Sequence, residues 1–292
     1  MPLIDKAAPP PSLTDLSRAL KTPFVPISAD WFLMGSTTGQ ADERPLHRVW
    51  VDAFEMAVYP VTRAQYKEFL QSSKHQPLPR DWHNPLFTSP DQPVVGVNWY
   101  DACAYCRWYS TPEGTVRLPT EAEWERAARG GHQAREYPWG DSIPDWVPMN
   151  GHGPIQAPWT VAHGEPNDFG LYGIATNIHE WCADWYSGDF YATSPAFNPV
   201  GASTGKRRTS RGGAWRHAQT ISRTASRSRL DRSFRYTDYG FRIVRTVYQV
   251  TYHERVRKIE SYLARRPPSR GPSVDRWRLG SRSPAQATVK RS

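Results

Sequence analysis

Cysteine is scarce in this 292-residue chain. The three residues, Cys103, Cys106 and Cys182, are an odd and sparse set that does not fit a secreted disulfide framework. Long hydrophobic runs are missing too. Nowhere do about 18 apolar residues stand together, the length a membrane-spanning helix needs. The N-terminal MPLIDKAAPPPSLTDL has no apolar stretch of signal-peptide length. A soluble cytoplasmic protein is the expectation. No internal repeat is present, which argues against a solenoid or propeller.

What is abundant points to a compact, turn-rich fold. The chain holds 13 Trp, 20 Gly and 27 Pro and is 13% aromatic, a composition suited to short elements rather than a helical bundle. Its formal charge of +9 is not spread evenly. Residues 253–292 carry eleven Lys and Arg against Glu254, Glu260 and Asp275, a net of +8, so the body before them is close to neutral. Such a segment serves solubility, or holds an acidic partner or a membrane surface. The organisation follows: a flexible Pro-rich segment over 1–23, one domain over 24–248, and a basic C-terminal helix and disordered tail over 249–292.

Local signals within the domain alternate between two periods. ADWFLMGS followed by RPLHRVWVDAFEM alternates apolar with polar residues, the pattern of strands. Thr62 with Gln65 three residues on predicts a capped helix over 62–72, whose Tyr66, Phe69 and Leu70 share a face. Asn98 caps a second helix with Ala102, Tyr105, Cys106 and Tyr109 inward, and Thr120 with Glu123 caps a third that stops at Gly130-Gly131. Prolines keep 73–96 in loop conformation. YGFRIVRTVY at 239–248 reads as a strand.

Read in order, the chain presents MGS at 34–36, YPVTRAQYKEFL at 59–70, PVVGVNWYDACAYCRWYS at 93–110, RLPTEAEWERAARGG at 117–131 and YPWGD at 137–141. NDFGLYGIATNIHEWCADWY at 167–186, RTSRGGAWR at 208–216 and YGFRIVR at 239–245 follow. This set closely resembles the formylglycine-generating, or sulfatase-modifying-factor, family. The resemblance implies an α+β fold related to C-type lectins, with little regular structure, a few short helices and a small twisted antiparallel sheet. Within it Arg117, Glu121, Trp124, Glu180, Trp181, Arg211 and Arg242 are expected to serve as buried ion pairs and packing units rather than in catalysis.

The resemblance also sets an expectation for chemistry that the residues refuse. Members that make formylglycine hold copper with a close pair of cysteine thiolates just after the Arg-Gly-Gly-Ser segment, and Cu(I) requires such soft ligands. Residues 211–233 contain no cysteine, and Ala214 stands where the serine is usual. Copper is therefore not expected. Cys103 and Cys106 form a CxxC inside a helix with no second pair, so they read as packed thiols. Relatives that use non-heme iron take histidines largely from a separate helical domain, which this chain lacks. Its nine histidines show neither an HxxxH helix nor a clear two-His-one-carboxylate arrangement, and non-heme iron stays an open alternative. A structural Ca²⁺ is implied near Glu180, with carbonyls from Thr176 and Ile178, and Asn150 matches a residue of another such site.

Two functions compete at this level. One is a protein that binds a peptide, protein or small molecule in the family's cleft, where Trp215, Arg216, His217, Arg223, Arg227 and Asp238 are the candidate contacts. Arg229, Arg232, Arg235, Phe234 and Tyr236 crowd the same segment, a mixture suited to anionic or aromatic ligands. The alternative is an oxygen-dependent non-heme-metal oxidoreductase of the same family. A nucleic-acid or assembly role through the tail ranks last, because no nucleic-acid module is recognisable. With no thiolate in 211–233, incubation with a Cys-x-Pro-x-Arg peptide, Cu(I) and a reductant is expected to leave the cysteine unoxidised by mass spectrometry; aldehyde formed at enzymatic turnover contradicts this reading.

Overall fold

A computed structural model describes residues 22–246 apart from 76, 112, 113, 134 and 148–155; the two terminal segments and Asn150 therefore lie outside the described residues. Helices form where the capping residues stand. The Thr62 hydroxyl accepts from Gln65 N and the Gln65 side chain accepts from Thr62 N, which satisfies two donors at the head of α1, Arg63–Ser73. Asn98 with Asp101 and Thr120 with Glu123 build the same reciprocal cap on α2, Trp99–Tyr109, and α3, Glu121–Ala128. All of α3 is buried, charged residues included, so it runs through the centre of the molecule.

Ten strands fall into three sheets among the described residues: β1 (Phe24–Ile27), β2 (Asp30–Met34), β3 (His47–Val51), β4 (Phe54–Ala57), β5 (Val116–Arg117), β6 (His179–Trp185), β7 (Arg207–Arg211), β8 (Arg227–Asp231), β9 (Tyr239–Gly240) and β10 (Val244–Thr246). The orders are β1-β4-β10-β5, β2-β3 and β8-β7-β6-β9. Pairing is antiparallel except between β6 and β9, which run parallel with His179 opposite Tyr239. The α+β class and the short elements agree with the reading from sequence, whereas the single small sheet becomes three. The strand expected over 239–248 is likewise divided. Phe241, Arg242 and Ile243 are all fully buried, so no face alternates toward water, and the chain passes through the core from the β6 sheet to the β4 sheet.

The two larger of three hydrophobic clusters among the described residues hold these elements. Trp124 packs with Phe32, Phe54, Met56 and Leu171, and Trp181 with Tyr66, Tyr105 and Phe241. Both indoles are wholly buried and both spend their N–H, Trp124 on Glu180 Oε2 at 2.8 Å and Trp181 on the Val97 carbonyl at 3.1 Å. Trp124→Ala or Trp181→Ala is expected to cost about 3–5 kcal/mol of a total near 5–15. Denaturant melts read this directly, and an unchanged midpoint in either variant shows that the indole is not part of the core.

Candidate functional site

A cleft of about 500 Å³ opens beside β8, between the turn after β7 and the residues that lead into β9. The chain reaches it from β7 through Gly212 and Gly213. Gly212 adopts φ +82°, and a Cβ on Gly213 would stand 2.6 Å from Ser222 Oγ. The two glycines let the chain double back against Ala175, whose carbonyl accepts from Gly213 N. The following turn, closed by His217 N donating to the Ala214 carbonyl, sets His217 over the head of β6.

There three groups separated in sequence converge. His179 opens β6, and its N–H donates to the carbonyl of Asp238, the residue before β9. His179 Nε2 lies 3.1 Å from His217 Nδ1, and His217 Nε2 lies 3.6 Å from Asp238 Oδ2. Arg216 clamps the same carboxylate through Nε and Nη2, each at 2.9 Å. His179 and Asp238 are buried and His217 is half-buried. Burial pushes the His179 imidazole down to about 4, more than Asp238 pulls it up, and it lowers His217 in the same sense. Neutral rings keep a nitrogen lone pair at neutral pH. The cluster can therefore share a proton or hold a cation, and these are the residues with metal-binding potential that sequence reasoning did not join. Steps of 38 and 21 residues separate them, and a two-residue parallel strand makes the contact.

The other expected cleft residues are placed differently. Arg216, His217, Arg223, Arg227 and Asp238 line the cleft, but Trp215 turns away into a core cluster with Phe87, Val95 and Ile178. The arginines are not a free cationic patch. Arg223 makes a bidentate pair with Glu43 at 2.6 and 2.7 Å, and Arg227 with Glu121 at 2.7 and 3.0 Å. Arg229 meets Asp42, Arg235 meets Asp101, and Arg232 lies over Tyr100 and Trp185. The acids that neutralise them come from distant loops and helices, which is why the segment's own composition overstated its positive field.

Glu180, the carboxylate that the resemblance gives to calcium, is met by protein donors. Its two oxygens accept from Arg242 Nη2 at 3.0 Å, from Arg242 Nε and from Trp124 Nε1 at 2.8 Å, all out of solvent. Thr176 and Ile178 are buried, Ile178 in the cluster with Trp215, and Asn150 lies outside the described residues. Cysteine is absent from the cleft lining: Cys103 and Cys106 sit on α2 and Cys182 on β6. Burial pushes the Cys103 thiol up to about 11 and raises the other two further, so all three stay protonated.

Comparison with known proteins agrees with this architecture. Residues 17–247 match the sulfatase-modifying factor enzyme 1-like domain. The formylglycine-generating enzyme of Mus musculus is 31% identical, over 80% of this chain and 77% of its own. The serine/threonine-protein kinase pkn1 of Chlamydia pneumoniae is 35% identical over 77% of this chain. The match spans 38% of that relative's length. Among solved structures, PvdO from Pseudomonas aeruginosa superposes with a TM-score of 0.68 at 25% identity, covering 77% of this chain and 94% of that one. No described helix is long and apolar enough to cross a membrane.

Proposed function

The chain belongs to the sulfatase-modifying factor family, and we propose that it binds a peptide, protein or small ligand in the cleft beside β8 without the copper–thiolate chemistry of formylglycine synthesis. The observation that carries this reading is the cleft's lining: imidazole, carboxylate, hydroxyl and apolar groups, with no thiol and with its deeper arginines already paired. What remains to meet a ligand is mixed. Ile221 and Tyr236 are each 39% exposed at the cleft, and Phe234 beside Tyr236 is 51% exposed. Ser226 Oγ is buried without a hydrogen-bond partner, and Arg216, after its two contacts with Asp238, keeps N–H donors to spare. An extended peptide or an aromatic small molecule suits such a surface better than a polyanion, which would need unpaired charge.

A second reading, an oxygen-dependent non-heme-metal oxidoreductase, is favoured by one specific observation, the convergence of His179, His217 and Asp238. The basic segment 253–292 is a separate place for an acidic partner to act. Affinity capture from host extract with the full chain, an Ile221→Glu/Tyr236→Ala variant and a chain ending at residue 248 separates cleft from tail. Captured species are expected to be lost from the cleft variant at unchanged melting midpoint and kept on truncation; full retention by the cleft variant, or loss of every partner on truncation, contradicts the cleft reading.

A further inference from the structure

We propose that His179, His217 and Asp238 form the binding site of one divalent first-row transition-metal ion, held by two imidazole nitrogens and one carboxylate oxygen, with its remaining positions open to the cleft. The inference deepens the cleft reading and rests on it for its functional meaning, since a ligand in the cleft would meet the ion's open positions.

The geometry carries the proposal. One ligand atom from each residue lies within 4.8 Å of the others. Two nitrogens each about 2.0–2.1 Å from one ion stand roughly 2.8–3.4 Å apart for bond angles between octahedral and tetrahedral. The His179 and His217 nitrogens are 3.1 Å apart, already inside that range. The buried members are also fixed in place. His179 is held by its backbone bond to Asp238 and by the Tyr239 ring with centroids 4.7 Å apart. The Gly212 backbone bonds the His179 ring, the kind of outer-shell contact that sets a ligand's orientation. Asp238 is oriented by Arg216, the kind of outer-shell donor that fixes a ligating carboxylate.

The donor set narrows the ion. Imidazole with carboxylate suits Fe²⁺, Co²⁺ or Zn²⁺, whereas Ca²⁺ prefers oxygen alone and Cu(I) prefers thiolate. Three protein ligands do not close a coordination sphere, and His217 is exposed enough to present the ion to the cleft. The competing occupant is a proton: 3.1 Å between the rings is also hydrogen-bond distance, so a bound ion would displace a shared proton.

The test uses the full chain, stripped with a chelator and titrated with Co²⁺ by visible absorption and calorimetry, with Zn²⁺ as competitor. One ion per chain is expected, with a nitrogen–oxygen spectrum. His217→Ala and the volume-conserving Asp238→Asn should each weaken binding by at least about 100-fold, since loss of an outer-shell group alone costs about 10–100-fold. His132→Ala, which alters an exposed histidine paired with Asp168, should bind as the parent does. Absence of stoichiometric Co²⁺, or unchanged affinity in both ligand variants at parental melting midpoint, overturns the proposal. Because the readout needs no cleft ligand, absent Co²⁺ binding with retained capture by the cleft refutes the metal site alone. Retained Co²⁺ binding with capture unaffected by Ile221→Glu/Tyr236→Ala refutes the cleft-ligand reading alone.

Discussion

The structure depends on buried arginines that pair with glutamates from other elements and use their remaining N–H groups on loop carbonyls. Arg242 bonds Glu180 and donates to the carbonyls of Ala57, Val58 and Tyr172. Arg211 pairs with Glu125 and donates to Thr224, Ala225 and Ser226. Arg227 pairs with Glu121 and donates to Asp42 and Ser187. A fold of short strands leaves many carbonyls without a ladder partner, and a guanidinium with five donors can satisfy several at once. Such a pair adds little net stability by itself, yet losing one partner strands a buried charge. Glu125 shows the balance: burial would raise its carboxyl, but Arg129 and Arg211 together hold it below the usual range. The same pairs set the cleft, since Arg227 and Glu121 tie β8 to α3.

These constraints explain which parts of the fold were legible in the sequence. Capping boxes are local, and Thr62, Asn98 and Thr120 mark the starts of the three α-helices among the described residues. The buried roles of Trp124, Glu180, Arg211 and Arg242 followed from the resemblance to the family. The division of 239–248 did not, because Gly240 sits where a Cβ would be 2.2 Å from the Val94 carbonyl, a tertiary contact that no periodicity records.

The site was legible by segment rather than by atom. Arg216, His217 and Asp238 do lie in the cleft, but His179 stood in the Glu-Trp strand and its link to Asp238 is a parallel pair of two residues. The arginines of 216–235 looked like a field for anions because Glu43, Asp42, Asp101 and Glu121 are remote in sequence. Trp215 lies away from the cleft for the same reason: its environment, a core cluster, is assembled only by folding.

The proposed site sets imidazole and carboxylate donors on the family's scaffold, a set that favours borderline divalent ions over soft Cu(I). Anomalous diffraction from crystals grown with Co²⁺ tests it most directly. The account predicts a single peak within bonding distance of His179, His217 and Asp238, open toward Ile221 and Tyr236. Peaks confined to surface histidines, with the His179 and His217 rings still bridged by a proton, would contradict it.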